Sequence, residues 1–249
     1  MRKEIEYLMS SDFLKLPILE DYGNWCQAEH EKFIPDFFST VLEKQSAINA
    51  IRESNIPLNK IYEDWEFKLT TPKNKKSKNT LDKIKGHSFE FVEKGLCAYI
   101  YGDTGTGKTS YCIEIMKYYI RDVLEQIPQS FEGKTAPFII NCRVFNDYIN
   151  DRRHPIGDID GLVNRMKQSC LLVLDDMSFI ERHTTAFNRL YEVVEFRANH
   201  EISTLFTSNL TPEKFKEVYK GEEAFISRVI GRCREAHLIP LVGIDMRNK

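Results

Sequence analysis

The sequence predicts an α/β fold: a three-layer αβα domain built around a parallel sheet. Three observations predict it. Near-continuous apolar runs recur from residue 96 onward, stretches long enough for helices separate them, and a glycine-rich turn follows the first run. Strands covered by helices on both faces read as unbroken apolar runs, because neither side meets water.

The elements follow in chain order. Residues 1–55 read as short helices, with apolar positions at helical steps through Phe33, Phe37, Val41, Ile48 and Ile51, and with Pro17, Gly23 and Pro35 as interruptions. Residues 56–95 are a linker and lead-in. Within them KNKKSKNTLDKIKG (73–86) is crowded with lysine and reads as an exposed loop or an early helix turn, either solvated or in touch with phosphates. The remaining domain, 96–249, carries strands at LCAYIYG (96–102), TAPFIINCRVF (135–145), SCLLVLDDM (169–177), ISTLFTSNL (202–210) and AHLIPLVG (236–243). A helix is expected from near Gly107 to about residue 125.

Composition narrows the class. The 249 residues are 42% hydrophobic and 12% aromatic, enough for a core, and the formal net charge of −2 excludes a polycation. Nucleic-acid contact therefore needs a local basic surface. No apolar run reaches the ~20 residues of a membrane helix, and MRKEIEYLMSSDF lacks the apolar centre of a signal peptide. A soluble, cytoplasmic protein without membrane contact is expected. Six dispersed cysteines without a CxxC pair argue against disulfides and against a cysteine-rich zinc site. Cys26 and His30 stand four apart, but two ligands do not make a metal site.

The chemistry begins at Gly102-Asp103-Thr104-Gly105-Thr106-Gly107-Lys108-Thr109-Ser110, which fits GxxxxGK[ST] between a strand and a helix. In such a loop backbone N–H groups turn inward around phosphate oxygens, and the helix N-terminus adds its dipole. Lys108 is expected to neutralise the β and γ phosphates of ATP or ADP, and the Thr109 hydroxyl to ligate Mg²⁺. A second element, Leu171–Asp176, delivers two carboxylates to the C-terminal edge of the sheet. Asp175 is placed to hold Mg²⁺ and Asp176 to polarise the attacking water. An aspartate there is one methylene shorter than glutamate, so slow, partner-dependent hydrolysis is expected. Third, the strand Phe206-Thr207-Ser208-Asn209 ends in small polar residues, and Asn209 can orient water or sense the γ-phosphate. Fourth, residues 225–234 read as a basic helix with Arg228 and Arg232 on one face.

These four elements, in this order and spacing, resemble the AAA+ ATPases, and more narrowly the replicative helicase loaders of the DnaC/DnaI type and the related IstB transposition ATPases. The resemblance runs from about Asn55 to Arg247 and includes SNIPLNKIYEDWEF, similar to a family lead-in beside the adenine, TSNL, and SRV…HLIPLVGIDMR. It implies a sheet of order 5-1-4-3-2, Asp175 and Asp176 as Walker B pair, Asn209 as sensor 1, and Arg228 as an arginine finger acting on a neighbouring protomer. It also implies a chain without the helical lid of larger AAA+ proteins; 15 residues follow Arg234. For partners it implies a hexameric replicative helicase gripped by residues 1–55, single-stranded DNA, and further copies of the chain. The segment 178–197 stands where the family inserts a helix along the DNA path; Arg182, His183, Arg189 and Arg197 supply charge and Phe179 a stacking ring, whereas Phe187, Leu190 and Val194 fall at core spacing. Arg143, Phe145, Arg152 and Arg153 form a second candidate cluster. Three functions remain open at this level: a helicase loader, an IstB-like adaptor for a transposase, and a P-loop kinase of small molecules.

Overall fold

Five parallel strands form the sheet, in the order β2-β3-β4-β1-β5. They are β1 (Cys97–Gly102), β2 (Phe138–Asn141), β3 (Leu171–Asp175), β4 (Ser203–Ser208) and β5 (Cys233–Leu241). Read from the other edge this is the expected 5-1-4-3-2. The computed structural model describes residues 50, 54–56, 72–126, 136–150 and 156–243. The readings of residues 1–49, of Arg152 and Arg153, and of the closing 244–249 lie outside the described residues.

Every residue of β3 and of β4 is buried, as a strand covered on both faces requires. Alternation divides their side chains between two cores. Leu172, Leu174 and Phe206 join one with α4 (Cys142–Asn150), α5 (Ile156–Gln168), α6 (Thr185–Asn199), α7 (Pro212–Val218) and α8 (Glu223–Ile226). Leu171, Val173 and Leu205 face the other, with α1 (Pro72–Gly86), α2 (Ser88–Glu93) and α3 (Lys108–Gln126). Ser54 and Asn55 flank the edge strand: the Ile139 amide donates to Ser54 O at 2.9 Å, and Asn55 Nδ2 donates to Ile139 O at 2.8 Å.

Several boundaries differ from the sequence reading. The apolar run at 135–145 is not one strand: it turns at Asn141 into α4, where Cys142 and Phe145 are buried on the helix's inner face. The buried helix residues Cys142 and Phe145 prolong the apolar run past Asn141, so a period-based reading carries the strand on. The lysine-rich stretch is not a loop but the body of α1. Leu81 and Ile84 bury its inner side, and Asp82 takes up two lysines, at 2.9 Å for Lys78 and 3.8 Å for Lys85. The basic helix ends early. α8 continues as a π-helical turn over Ser227–Gly231, and Arg234 already lies on β5 because Cys233 must stand opposite Cys97. The five cysteines among the described residues are all free. Among the described residues no helix is long and apolar enough to cross a membrane.

At the amino ends of β3 and β4 one arginine organises the backbone. Arg197, 1% exposed, donates to the carbonyls of Met166 (3.0 Å), Lys167 (3.1 Å) and Ser169 (2.6 Å), to the Ser203 carbonyl, and to Thr204 Oγ1 (3.0 Å). It thereby caps the C-terminus of α5, whose last carbonyls lack helical partners. A role for Arg197 on a DNA path is overturned by this burial. Phe145 leaves the DNA candidates for the same reason, being fully buried.

Candidate nucleotide site

The site forms where β1, β3 and β4 end. β1 stops at Gly102, whose φ is 149°, and a Cβ there would stand 1.9 Å from the carbonyl oxygen of Leu241 on β5. The first glycine of the loop is thus demanded by the neighbouring strand, before any ligand is considered. Gly105 and Gly107 follow at φ 79° and 88°, turning the loop into α3. Thr106 Oγ1 donates to Asp103 O at 2.8 Å and ties the loop to itself, while Asp103 and Thr104 are exposed. Ser110 is buried in the first turn of α3.

Lys108 reaches back along this loop. Its ammonium donates to Gly102 O (2.7 Å), Asp103 O (2.8 Å) and Asn209 Oδ1 (2.9 Å). Asn209, just beyond β4, in turn donates through Nδ2 to Asp176 Oδ1 at 3.4 Å. The loop lysine, the polar residue after β4 and the second acid after β3 are therefore one connected chain. Sequence order suggested their proximity; the structure supplies the connection.

Asp175 closes β3. Its Oδ1 accepts from Thr109 Oγ1 and from Thr207 Oγ1, each at 2.7 Å, and its Oδ2 accepts from Asn141 Nδ2 at 3.0 Å. These partners follow from register: Asn141 lies opposite Asp175, and Leu174 opposite Phe206 puts Thr207 beside Asp175 on the other side. Residues in register on adjacent strands point to the same face. The neighbouring Asp176 adopts the left-handed region, φ 63°, an uncommon conformation that aspartate tolerates better than most side chains. Its amide donates to Thr207 Oγ1 at 2.8 Å, and its Oδ1 accepts from Ser178 Oγ at 2.9 Å. Burial, reinforced by the Asp175 charge, pushes the Asp176 carboxyl above the usual range, although Ser178 opposes the shift. A carboxylate so raised accepts a proton from water more readily than an ordinary one.

The donor set fits Mg²⁺. A hydroxyl and a carboxylate, both hard oxygens, stand 2.7 Å apart at the mouth of a phosphate-type loop, and Mg²⁺ is commonly held by one or two such groups with phosphate oxygens and water.

Arg228 lies apart from this cluster. Its Nη2 pairs with Glu195 Oε1 on α6 at 2.8 Å, Nη1 donates to Ala224 O at 3.0 Å, and the guanidinium carbon is 5.9 Å from the Tyr191 ring centroid. Arg232 turns elsewhere, to Arg197 O (2.9 Å) and Gly95 O (3.1 Å). The two arginines do not form one basic face. Of the other basic candidates, Arg189 is held by Asp160 (3.0 Å) and Glu192 (3.3 Å), and Arg182 donates to Lys220 O. His183 lies 4.0 Å from Glu222. Phe179 is 41% exposed with the Arg143 guanidinium 5.4 Å from its ring centroid. Phe187, Leu190 and Val194 are core, as their spacing indicated. Asn141 was missed. The signal that marked Asn209, a polar residue ending an apolar strand, was present at Asn141 too, but the run continued past it.

The profile described as IstB-like ATP binding protein matches residues 39–249. The chain belongs to the IstB-like ATP-binding protein family. Among solved structures, DnaI aligns at TM-score 0.55 and 16% identity over 73% of this chain and 87% of its own. A Streptococcus pyogenes serotype M3 protein described as a primosome component aligns at 0.55 and 20%, over 80% and 97%. The DnaC helicase loader aligns at 0.50 and 18%, over 70% and 91%. These structures share the fold of this IstB-like chain, a five-stranded parallel sheet between helices with a P-loop after its first strand. No curated protein sequence matches it.

Proposed function

We propose that this IstB-like protein is an ATP-switched loader that brings a hexameric replicative helicase to single-stranded DNA. The observation that carries the switch is the chain Lys108–Asn209–Asp176. A group that draws Lys108 away from Asn209 alters the partner of Asp176 at the same moment. In this reading residues 102–110 cradle the phosphates, Lys108 neutralises them, and Thr109 and Asp175 hold Mg²⁺. A Mg²⁺ held there would help to offset the negative charge of the phosphates. Asn209 orients the attacking water and Asp176 takes its proton. Arg228, held by Glu195 at 2.8 Å, serves a neighbouring protomer's nucleotide in trans. Residues 1–55 grip the helicase, and the exposed Phe179–Arg143 pair faces single-stranded DNA. The fold shared with DnaI and the DnaC helicase loader supports the helicase arm.

A second reading, an adaptor for a transposase, is favoured by the IstB-like family itself. One experiment separates them. The full-length chain and one lacking residues 1–55 are mixed with a hexameric replicative helicase on a sizing column, and DNA binding is measured with single-stranded and duplex oligonucleotides under ATP and ADP. Co-migration lost on truncation, with single-strand preference, is the expected result. Duplex preference without helicase capture selects the adaptor, and phosphoryl transfer to nucleosides would reject both.

A further inference from the structure

Asn141 ends β2 in register with Asp175, and the two ends of its amide engage different groups. Oδ1 accepts from the backbone amides of Arg143 (3.0 Å) and Val144 (3.3 Å), capping α4. Capping asks only for an acceptor, which serine or threonine supplies about as well. Nδ2 does something capping does not require: it donates to Asp175 Oδ2 at 3.0 Å. Thr207 holds the other oxygen at 2.7 Å, so the carboxylate plane is fixed from two neighbouring strands. Its Oδ1 is thereby presented to Thr109.

The chemical identity of the partner matters. A lysine or arginine at this place would orient Asp175 equally well but would compete with a divalent cation for its charge. A neutral amide orients the carboxylate and leaves that charge uncancelled. We propose that Asn141 is a positioning residue of the nucleotide site, acting through Asp175 to set the affinity for the Mg²⁺ that accompanies the nucleotide. The inference rests on the nucleotide-site reading given above, and it adds a residue that neither the loop nor the acid pair contains. It also joins the metal carboxylate to the seating of α4, which carries Arg143.

The test is a Mg²⁺ titration of fluorescent (mant) ATP binding by the full-length protein, alongside metal-free mant-ADP binding and thermal melting. Asn141→Ser keeps a capping acceptor but is too short to reach Asp175. In this variant the Mg²⁺ concentration giving half-maximal tightening rises about tenfold, as for other partners of metal-binding side chains, while metal-free affinity stays within about twofold. Asn141→Ala shows the same shift together with a lower melting temperature, because the cap is lost. Asn141→Thr repeats the cap-preserving test should the serine variant not fold. A cap-preserving variant that titrates like wild type overturns the proposal. So does an equal loss of metal-free and metal-dependent binding, which marks a structural role. Wild type that binds no labelled ATP overturns the nucleotide-site reading itself, a result distinct from the other two.

Discussion

At the carboxyl end of the sheet Asp175 stands between Asn141 and Thr207; at the amino end Arg197 stands among the carbonyls of Met166, Lys167, Ser169 and Ser203. Each end buries a charge, 7% exposed for Asp175 and 1% for Arg197, and each surrounds it with neutral dipoles. The difference lies in what the dipoles can do next. Around Arg197 most of them are backbone carbonyls, held in place by the helix end and the strands that carry them. Around Asp175 they are hydroxyls and an amide, which rotate or exchange, next to a loop whose lysine rests on its own carbonyls. Opposite ends of the same strands thus separate holding the fold from handling a ligand.

Loss of Arg197 undoes the amino end of the sheet. Arg197→Met leaves several buried carbonyls without donors and should cost at least about 3–5 kcal/mol, comparable to a whole domain's stability. Urea unfolding measures it, and a loss below about 1 kcal/mol would show that the amino end is as exchangeable as the other. Asp176→Asn is the counterpart: stability and nucleotide binding hold, while hydrolysis falls about 10²–10⁴-fold. Wild-type hydrolysis carries a pH signature of the same residue. The base must be ionised, and burial raises its carboxyl, so the acid limb of the turnover profile lies above that of an ordinary aspartate and disappears in the variant. Lys108→Ala comes next. Losing charge-assisted contacts to phosphate, each about 1.5–3 kcal/mol, should weaken ATP binding about 100-fold with little change in urea midpoint. Smallest is Arg228→Ala. Its pair with Glu195 is partly exposed, so stability changes by less than about 1 kcal/mol; hydrolysis falls only at protein concentrations where copies associate.

The residues that the sequence marked in the loop, after β3 and after β4 lie together at one edge of the sheet, and their signals are local: a glycine pattern and polar residues that end apolar runs. Sheet order came through resemblance, and the observed order agrees with it for all five strands. What stayed hidden depends on burial. Arg197 lies in a helix among other charged residues, where an arginine reads as solvated, and nothing local says that it caps another helix. Asn141 was hidden by Cys142 and Phe145, whose apolar character serves α4 rather than β2. Arg228 and Arg232 were joined by spacing, but the turn into β5 gave them different partners.

The π-helical turn at Ser227–Gly231 bears on chain length. Its hydrogen bonds close over one more residue than those of an α turn, and it sits just before β5, which opens with Cys233 opposite Cys97 and pairs continuously with β1 from Leu238. A deletion of one residue here can be absorbed by tightening to an α turn, with β5 still in place and the P-loop's backing at Leu241 undisturbed. The same deletion within Leu238–Leu241, which pairs residue for residue with Tyr99–Gly102, would move the side chains beyond it to the opposite face of the sheet. Spare length is stored beside Arg228, where the arginine's reach can be retuned without moving the sheet that holds the nucleotide loop.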